Sequence, residues 1–201
     1  MKKLKIIIIG LLLVFFSTGC SQVSKEIKDK VNFNNKTVQE NKYSDLPKET
    51  KISVEVSRFI DGDTTEFIIN DTSVVTRYLL IDTPETVKRG LDVQPFGKEA
   101  SNRTKELLEQ ANIIELMIDK GNPTDMTDSK RLLSYVFVDG ELLQDILVKE
   151  GLARVAVYDS NNVRFLSTLE KSAEIAKNNK VGIWSIDGYV TNHGYNYEKR
   201  N

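Results

Sequence analysis

Three short segments with strand-like patterns follow one another early in the chain, and only short turns separate them. Residues 52–59 alternate apolar and polar side chains, and residues 65–69 and 74–81 are rich in β-branched and aliphatic residues. Asp61-Gly62-Asp63 and Asn70-Asp71 lie between these segments, and such residues favour turns. Because turns this short join antiparallel neighbours, we expect a three-stranded meander.

The pattern changes after the meander, where two further strands and three helices are expected. Residues 96–110 have helical spacing and few β-branched side chains. Residues 113–118 and 132–138 have strand patterns, and residues 142–150 and 163–179 have helical ones. Five short strands with helices after the third and the fifth match a small Greek-key barrel, so the predicted fold class is α+β.

The first twenty residues differ from the rest of the chain. Three lysines precede an apolar run at residues 6–16, and small residues at 17–19 precede Cys20, the only cysteine. The run is short for a membrane span, which takes about 20 apolar residues, but it suits a secretory signal. Its end resembles a bacterial lipoprotein signal peptide, which predicts cleavage after residue 19 and lipidation of Cys20. An ordinary secretion signal with a chance cysteine is the alternative.

The remaining chain divides by composition into a tether, a domain and a tail. Residues 20–50 are rich in Ser, Lys, Asn, Glu and Gln and lack apolar periodicity, so we expect a flexible tether. Residues 51–188 form the predicted domain, which is long enough for one core. Residues 189–201 are polar and rich in Asn and Tyr, so we expect a C-terminal tail that frays.

The charge balance argues against a protein that binds nucleic acid through bulk positive charge. The chain has 28 Lys and Arg against 29 Asp and Glu, and residues 51–189 alone have 17 against 23, a net charge of −6. A protein of this composition would need a few well-placed cations or a metal ion to bind nucleic acid. Its substrate binding would then be weaker and less salt-sensitive than that of a strongly basic relative.

Acidic residues gather at the predicted strand ends. Asp63 lies in the first turn, and Asp82 and Glu85 follow the third strand, so the meander would bring three carboxylates together near Arg77. Because uncompensated carboxylates repel one another, such a group usually holds a cation, and oxygen ligands without Cys or His favour Ca²⁺ or Mg²⁺ over Zn²⁺. Taken singly, each residue could equally be a turn residue, a helix cap or a solvated strand residue.

Two motifs and several landmarks carry a family resemblance. The motifs are Ile60-Asp61-Gly62-Asp63-Thr64 and Arg77-Tyr78-Leu79-Leu80-Ile81-Asp82-Thr83-Pro84-Glu85-Thr86. The landmarks follow in order: Gly97-Lys98-Glu99-Ala100-Ser101, Asp119-Lys120-Gly121, Arg131-Leu132-Leu133-Ser134-Tyr135, Gly151-Leu152-Ala153, Asn161-Asn162 and Gly182-Ile183-Trp184-Ser185. Over about residues 51–186 the chain resembles the staphylococcal nuclease family, whose fold is an oligonucleotide-binding (OB) barrel with three helices.

The resemblance implies a metal site and a general base. Asp63 and Asp82 match the family's calcium-ligating carboxylates, and Thr83 matches the residue that offers its main-chain carbonyl to the single calcium ion. Glu85 matches the glutamate assigned as general base. A calcium site with few protein ligands is expected, because water and substrate take its remaining positions.

Two arginines and a tyrosine complete the implied site. Arg77 and Arg131 match the arginines that bind the scissile phosphate, to which a guanidinium can donate two parallel hydrogen bonds. The loop before Arg131 is about two residues longer than the family's, and Ser129 stands where an aromatic residue is common. Tyr158 matches one of two tyrosines that stack on bases, and a packing or rim role is its alternative.

The leading hypothesis is a calcium-dependent nuclease that hydrolyses phosphodiester bonds of DNA and RNA with little sequence preference and leaves 3′-phosphate ends. A lipid anchor on Cys20 would tether the protein, expected to be a monomer, to the outer face of the cell membrane, with secretion as the alternative. The second hypothesis is a non-catalytic domain of the same fold that binds nucleic acid or a peptide. The expected residue types at all six catalytic and metal positions favour the enzyme.

Overall fold

The computed structural model describes residues 43–86 and 92–197. In this structure the first predicted strand is divided in two. β1 (Lys51–Ser53) and β2 (Glu55–Asp61) pair with different strands, and Val54 separates them. The predicted signal peptide, Cys20 and the first part of the predicted tether lie outside the described residues. No helix in the described ranges has the length and apolar character needed to span a bilayer.

The strands form a partly open barrel. β3 (Thr64–Ile69) and β4 (Thr72–Tyr78) complete the predicted meander, and β6 (Ile114–Met117) and β7 (Leu132–Val138) are the predicted fourth and fifth strands. The sheet order is β1-β6-β7-β4-β3-β2, with β4 and β7 parallel. Its two edge strands are linked through Val54 and not by a ladder of hydrogen bonds. This arrangement confirms the predicted α+β fold built on an OB barrel.

Among the described residues, three helices and five short strands accompany the long strands of the barrel. α1 (Gly97–Gln110) packs against β2, and α2 (Leu143–Lys149) packs against α1, β7 and α3 (Leu166–Asn178). A 3₁₀ helix follows at Gly182–Ser185. The short strands are β5 (Ile81–Asp82), β8 (Glu141–Leu142), β9 (Arg154–Val155), β10 (Val190–Thr191) and β11 (Gly194–Tyr195).

The core lies between the barrel and the helices. The strands bury one face, because successive side chains of a strand point to opposite faces of the sheet. On β3, for example, Phe67 and Ile69 are buried, whereas Glu66 is half-buried. Each large apolar side chain removed from water contributes about 1.5–3 kcal/mol. The fully buried apolar side chains include Tyr78, Ile81, Leu116, Leu132, Tyr135, Leu143, Leu147, Leu169 and Ile183.

Both ends of the described chain pack more closely than the sequence suggested. Tyr43 is buried and Leu46 packs against the core, so the folded unit begins within the segment predicted to be a tether. Tyr189 is also buried, and residues 190–195 form the hairpin β10–β11 in the segment predicted to fray. In both places aromatic side chains bury enough apolar surface to offset the entropy of ordering a polar segment.

Candidate active site

A cleft of about 710 Å³ collects most of the predicted site residues. Its walls come from the β2–β3 turn, from β4 and β5, from the loop before β7 and from the segment after β9. Six of the eight predicted site residues line it: Asp63, Arg77, Asp82, Glu85, Arg131 and Tyr158. Of the other two, Thr83 is buried beside Asp63, and Cys20 lies outside the described residues.

Arg77 bridges the two aspartates. Its Nη1 lies 2.8 Å from Asp63 Oδ2 and its Nη2 lies 3.2 Å from Asp82 Oδ1. The strand register creates this meeting, because Arg77 on β4 pairs with Thr64, the residue after Asp63. The Asp63 and Arg77 side chains are each only 10% exposed, so the attraction between them is weakly screened by solvent. The two carboxylates therefore meet at Arg77, but the predicted group of three that includes Glu85 is not found among the described residues as a cluster able to hold a metal ion.

Thr83 joins the same group through its backbone. Its N–H donates to Asp63 Oδ2 at 3.0 Å, and Asp63 Oδ1 accepts a hydrogen bond from the Thr64 hydroxyl at 2.9 Å. The Thr83 hydroxyl is buried without a hydrogen-bond partner in the described part of the chain. The three residues predicted to hold the metal ion are thus adjacent.

Glu85 is held in place by its main chain. Its N–H donates to Gln94 Oε1 at 2.8 Å, and the Gln94 N–H donates to the Glu85 carbonyl at 3.0 Å. This pair of bonds fixes the backbone of Glu85 where its half-buried side chain lines the cleft. The sequence did not predict this role of Gln94, because its two hydrogen bonds with Glu85 form across a loop that has no recognisable pattern.

Arg154 is a second buried arginine that the sequence analysis missed. It lies on β9, which pairs with β5 so that Arg154 faces Asp82, and its Nε donates to Asp82 Oδ2 at 2.8 Å. Asp82 is therefore bonded to an arginine through each carboxylate oxygen. A charged residue within the short segment 153–156 could have drawn attention to Arg154. Its position beside Asp82 could not be expected, because the pairing of β5 with β9 was not predicted.

Arg131 also lines the cleft, and it is held by an aspartate other than Asp63 and Asp82. Its Nε donates to Asp125 Oδ2 at 2.6 Å, and its backbone N–H donates to Asp125 Oδ1 at 3.1 Å. Burial would raise the pKa of Asp125, but hydrogen bonds from Thr127 and Arg131 outweigh it and lower that pKa. Asp125 thus stays ionised and orients Arg131. The sequence did not predict Asp125, although its position in the long loop before β7 places it within hydrogen-bonding distance of Arg131.

Burial and charge oppose each other around Arg77. Burial raises the pKa of Asp82, and the attraction of Arg77 and Arg154 does not fully offset this effect. Burial disfavours the charged form of Arg77, but the nearby Asp63 and Asp82 carboxylates outweigh it and raise the Arg77 pKa. Each of these charged groups therefore depends on its oppositely charged neighbours to stay ionised.

Two exposed side chains lie on the rim of the cleft. Tyr158 is 73% exposed, which argues against a packing role in the core, whereas both base stacking and a rim role are compatible with this exposure. Met126, in the loop before β7, is 86% exposed and was not predicted. Both line the cleft, so they offer apolar contacts beside its charged residues.

The donors around Arg77 fit a hard cation. They are carboxylate and main-chain oxygens. Within the described residues, no group of three or more His, Cys, Asp or Glu side chains is arranged to hold a metal ion, so side chains alone do not form a metal site. A site with Asp63, Asp82 and a carbonyl needs only two such side chains and leaves positions for water and substrate. Asp61 is separate, because its carboxylate accepts hydrogen bonds from Gly62 N–H and from the Thr86 backbone and hydroxyl. These bonds brace the turn.

Comparison with known proteins points to one family. The family model described as "Staphylococcal nuclease homologue" matches residues 75–186, which is more than half of the chain. The match includes Arg77, Asp82, Glu85 and Arg131, whereas Asp63 lies before it.

Similar proteins carry nuclease names. Endonuclease YncB from Bacillus subtilis (strain 168) is 42% identical over 181 residues, covering 90% of this chain and 83% of that protein. The SPbeta prophage-derived endonuclease YokF from the same strain is 45% identical over 145 residues, covering 72% of this chain and 48% of YokF. Thermonuclease from Staphylococcus intermedius is 37% identical over 129 residues, covering 64% of this chain and 74% of that enzyme.

Proposed function

The chain belongs to the staphylococcal nuclease family and is a nuclease, and from that premise we propose that it hydrolyses phosphodiester bonds in both DNA and RNA, depends on one calcium ion, and leaves 3′-phosphate ends with little sequence preference. The observation that carries the proposal is the bridge from Arg77 to Asp63 and Asp82 in a cleft that also contains Glu85 and Arg131. This set combines a cation site, phosphate-binding arginines and a carboxylate base.

The calcium ion would be held by the Asp63 and Asp82 carboxylates and by the Thr83 main-chain carbonyl. All three are hard oxygen donors, and the convergence of the buried Asp63 carboxylate and the half-buried Asp82 carboxylate supports a divalent ion here. When bound, the ion would offset the carboxylate charge and stabilise negative charge on a phosphate oxygen.

The arginines would bind the phosphate. A guanidinium has five N–H donors, and the aspartate contacts of Arg77 use only part of them. Arg131 has Nε on Asp125 and can present its terminal nitrogens to the cleft. Donors aimed at oxygens that gain charge in the transition state are typically worth a factor of about 10²–10³ each in rate.

Glu85 would act as the general base. It lines the same cleft as Asp63 and Asp82, and its backbone is fixed by Gln94. A water proton would pass to the Glu85 carboxylate as the water oxygen bonds to phosphorus. The bond from phosphorus to the 5′ oxygen would break, and the 5′ oxygen would take a proton from solvent to leave as a hydroxyl group. This step leaves the phosphate on the 3′ side. The named contacts address phosphate and not base edges, which accounts for the low sequence preference proposed.

The proposal is tested by digestion of plasmid DNA, denatured DNA and RNA by the purified protein. We expect cleavage of all three with Ca²⁺, none with excess chelator, and product 3′ ends that accept a nucleotide only after phosphatase treatment. Intact substrates in Ca²⁺, combined with retained binding, would contradict the enzyme and favour a non-catalytic nucleic-acid-binding domain. Cleavage that continues in chelator would contradict the metal requirement.

We also propose that the protein is tethered to the outer face of the cell membrane through Cys20, as a monomer. The support is the sequence alone: three lysines, an apolar run at 6–16 and small residues before the single cysteine. Two or more acyl chains on one cysteine give stable anchoring, whereas one chain is marginal. Mass spectrometry of the mature N-terminus tests the proposal. A diacylglyceryl mass on Cys20 is expected, and an unmodified N-terminus elsewhere would favour secretion.

A further inference from the structure

The C-terminal hairpin lies beyond the segment matched by the family model, which ends at residue 186, and it contacts the candidate active site. Tyr189 precedes β10 and is buried, and Tyr195 ends β11 and is half-buried. Their ring centroids are 5.1 Å apart, and the Asn196 N–H donates to the Tyr189 carbonyl at 2.7 Å. The two tyrosines therefore belong to one packed unit.

Tyr195 holds the peptide group between two proposed calcium ligands. Its hydroxyl donates to the Asp82 carbonyl at 2.6 Å, and the N–H of the same peptide, which belongs to Thr83, donates to Asp63 Oδ2 at 3.0 Å. The Arg154 N–H donates to the Tyr195 hydroxyl oxygen at 3.3 Å. Because a peptide group is planar, bonds at both of its ends fix its orientation. The Asp82 side chain and the Thr83 main chain both start from that fixed plane.

Tyr189 reaches the segment that holds Glu85. Its hydroxyl donates to the Pro95 carbonyl at 2.8 Å. The preceding residue, Gln94, makes the two hydrogen bonds to the Glu85 backbone described above. Tyr189 therefore supports Glu85 through residues 94 and 95, whereas Tyr195 supports Asp82 directly.

We propose that the C-terminal hairpin is a positioning element of the active site, in which Tyr195 orients the calcium ligands and Tyr189 orients the general base. This inference rests on the proposed function, because it takes Asp82 and Thr83 as calcium ligands and Glu85 as the base. Both tyrosines lie outside the lining of the cleft, so they act through these residues and not on the substrate. Ligands held in their binding geometry bind a metal ion more tightly than mobile ones.

The test uses two variants, Tyr195→Phe and Tyr189→Phe, which remove one hydroxyl each and keep both rings. We expect Tyr195→Phe to raise the dissociation constant for Ca²⁺ about five-fold, the usual net effect of one hydrogen bond, in calorimetry without substrate. Its kcat at saturating Ca²⁺ should change little. Tyr189→Phe should lower kcat about five-fold and leave the Ca²⁺ dissociation constant unchanged. As a control, Ser185→Ala removes a hydroxyl whose hydrogen bond to the Gly182 carbonyl stays within the 3₁₀ helix, and it should alter neither quantity.

A hairpin with a purely structural role would give a different pattern. Both variants would then lower the midpoint of thermal unfolding and would change calcium affinity and kcat together, which would overturn the proposal. Equal calcium affinity in the wild type and Tyr195→Phe would also overturn it. A wild type that neither binds Ca²⁺ nor requires it for cleavage would contradict the proposed function as well, so the two failures are distinguishable.

Discussion

Arg77 balances two carboxylates that would otherwise repel each other, and its planar guanidinium contacts both Asp63 and Asp82. Lysine has a single ammonium group and cannot form this fork. We therefore expect Arg77→Lys to lower the cleavage rate about 10²- to 10³-fold with the fold retained, measured under saturating Ca²⁺. Arg58→Lys, at an exposed ion pair with Glu66, is the matched control and should leave the rate unchanged. A near-normal rate in Arg77→Lys would contradict the role assigned to Arg77.

Asp125 orients Arg131 through two hydrogen bonds, one to the side chain and one to the backbone. Asp125→Asn keeps an acceptor for the backbone but removes the charge that holds the guanidinium. We expect kcat/KM to fall about ten-fold, because Arg131 would lose a charge-assisted hydrogen bond. Asp128→Asn, at an exposed position on the same loop, is the control. If Asp125→Asn cleaves as fast as the control, Arg131 does not depend on Asp125.

Among the individual site residues, the sequence predicted those whose positions follow from the local pattern of strands and turns. Asp63 lies in a turn, and Asp82 and Glu85 follow a strand, so a meander alone brings them together. Arg154 could not be found in this way, because it is 72 residues from Asp82 and meets it only through the β5–β9 pairing. Asp125 was missed for a related reason, since the loop that presents it has no periodic pattern.

Among the elements, the turn after β7 is tied to the end of α1 by one carboxylate. Asp139 Oδ1 accepts hydrogen bonds from the N–H groups of Asn112 and Ile113 at 3.0 and 2.9 Å. Bonds from Ile113 and then Asn112 lower the pKa of Asp139 below its ordinary value of 3.8. The stabilisation is therefore present above that value and is lost as the pH falls through the lower, folded-state pKa.

The prediction at this element is that Asp139→Asn lowers the thermal unfolding midpoint near pH 7, and that its difference from the wild type shrinks below pH 3.8. Asparagine tolerates the positive φ of 49° at this position, so the substitution removes mainly the charge. Asp187→Asn, whose side chain is 95% exposed, should be neutral at both pH values. A difference that stays constant as the pH falls would show that the Asp139 carboxylate charge is not responsible.

The predicted elements were found where hydrophobic period and turn chemistry agree. The five strands and three helices match the sequence pattern within a few residues, with two exceptions. The first predicted strand is divided at Val54, and the third ends at Tyr78, so that a turn at residues 79–80 separates it from β5. The hairpin β10–β11 was predicted as a tail, because its composition is polar. Its packing depends on Tyr189 and Tyr195, whose contacts with residues 82 and 95 are long-range and invisible to a local pattern.

For the whole molecule, the net charge of −6 over residues 51–189 limits how substrate is held. If Arg77 and Arg131 make the main phosphate contacts, about two counterions are released on binding. Affinity for single-stranded DNA should then fall only about ten-fold between 50 and 200 mM salt, measured with a non-cleaving variant in Ca²⁺. A loss of about 10³-fold over that range would indicate many more phosphate contacts and would contradict this picture.

The proposed function requires that the cleft around Arg77 carries out hydrolysis with Glu85 as the base. The most direct measurement is the single-turnover cleavage rate of Glu85→Gln at saturating Ca²⁺, beside Glu55→Gln at an exposed position on β2. We predict a loss of about 10²- to 10⁴-fold for Glu85→Gln with the fold retained, because the backbone bonds between Glu85 and Gln94 remain in the variant. A Glu85→Gln rate equal to that of Glu55→Gln would contradict the claim.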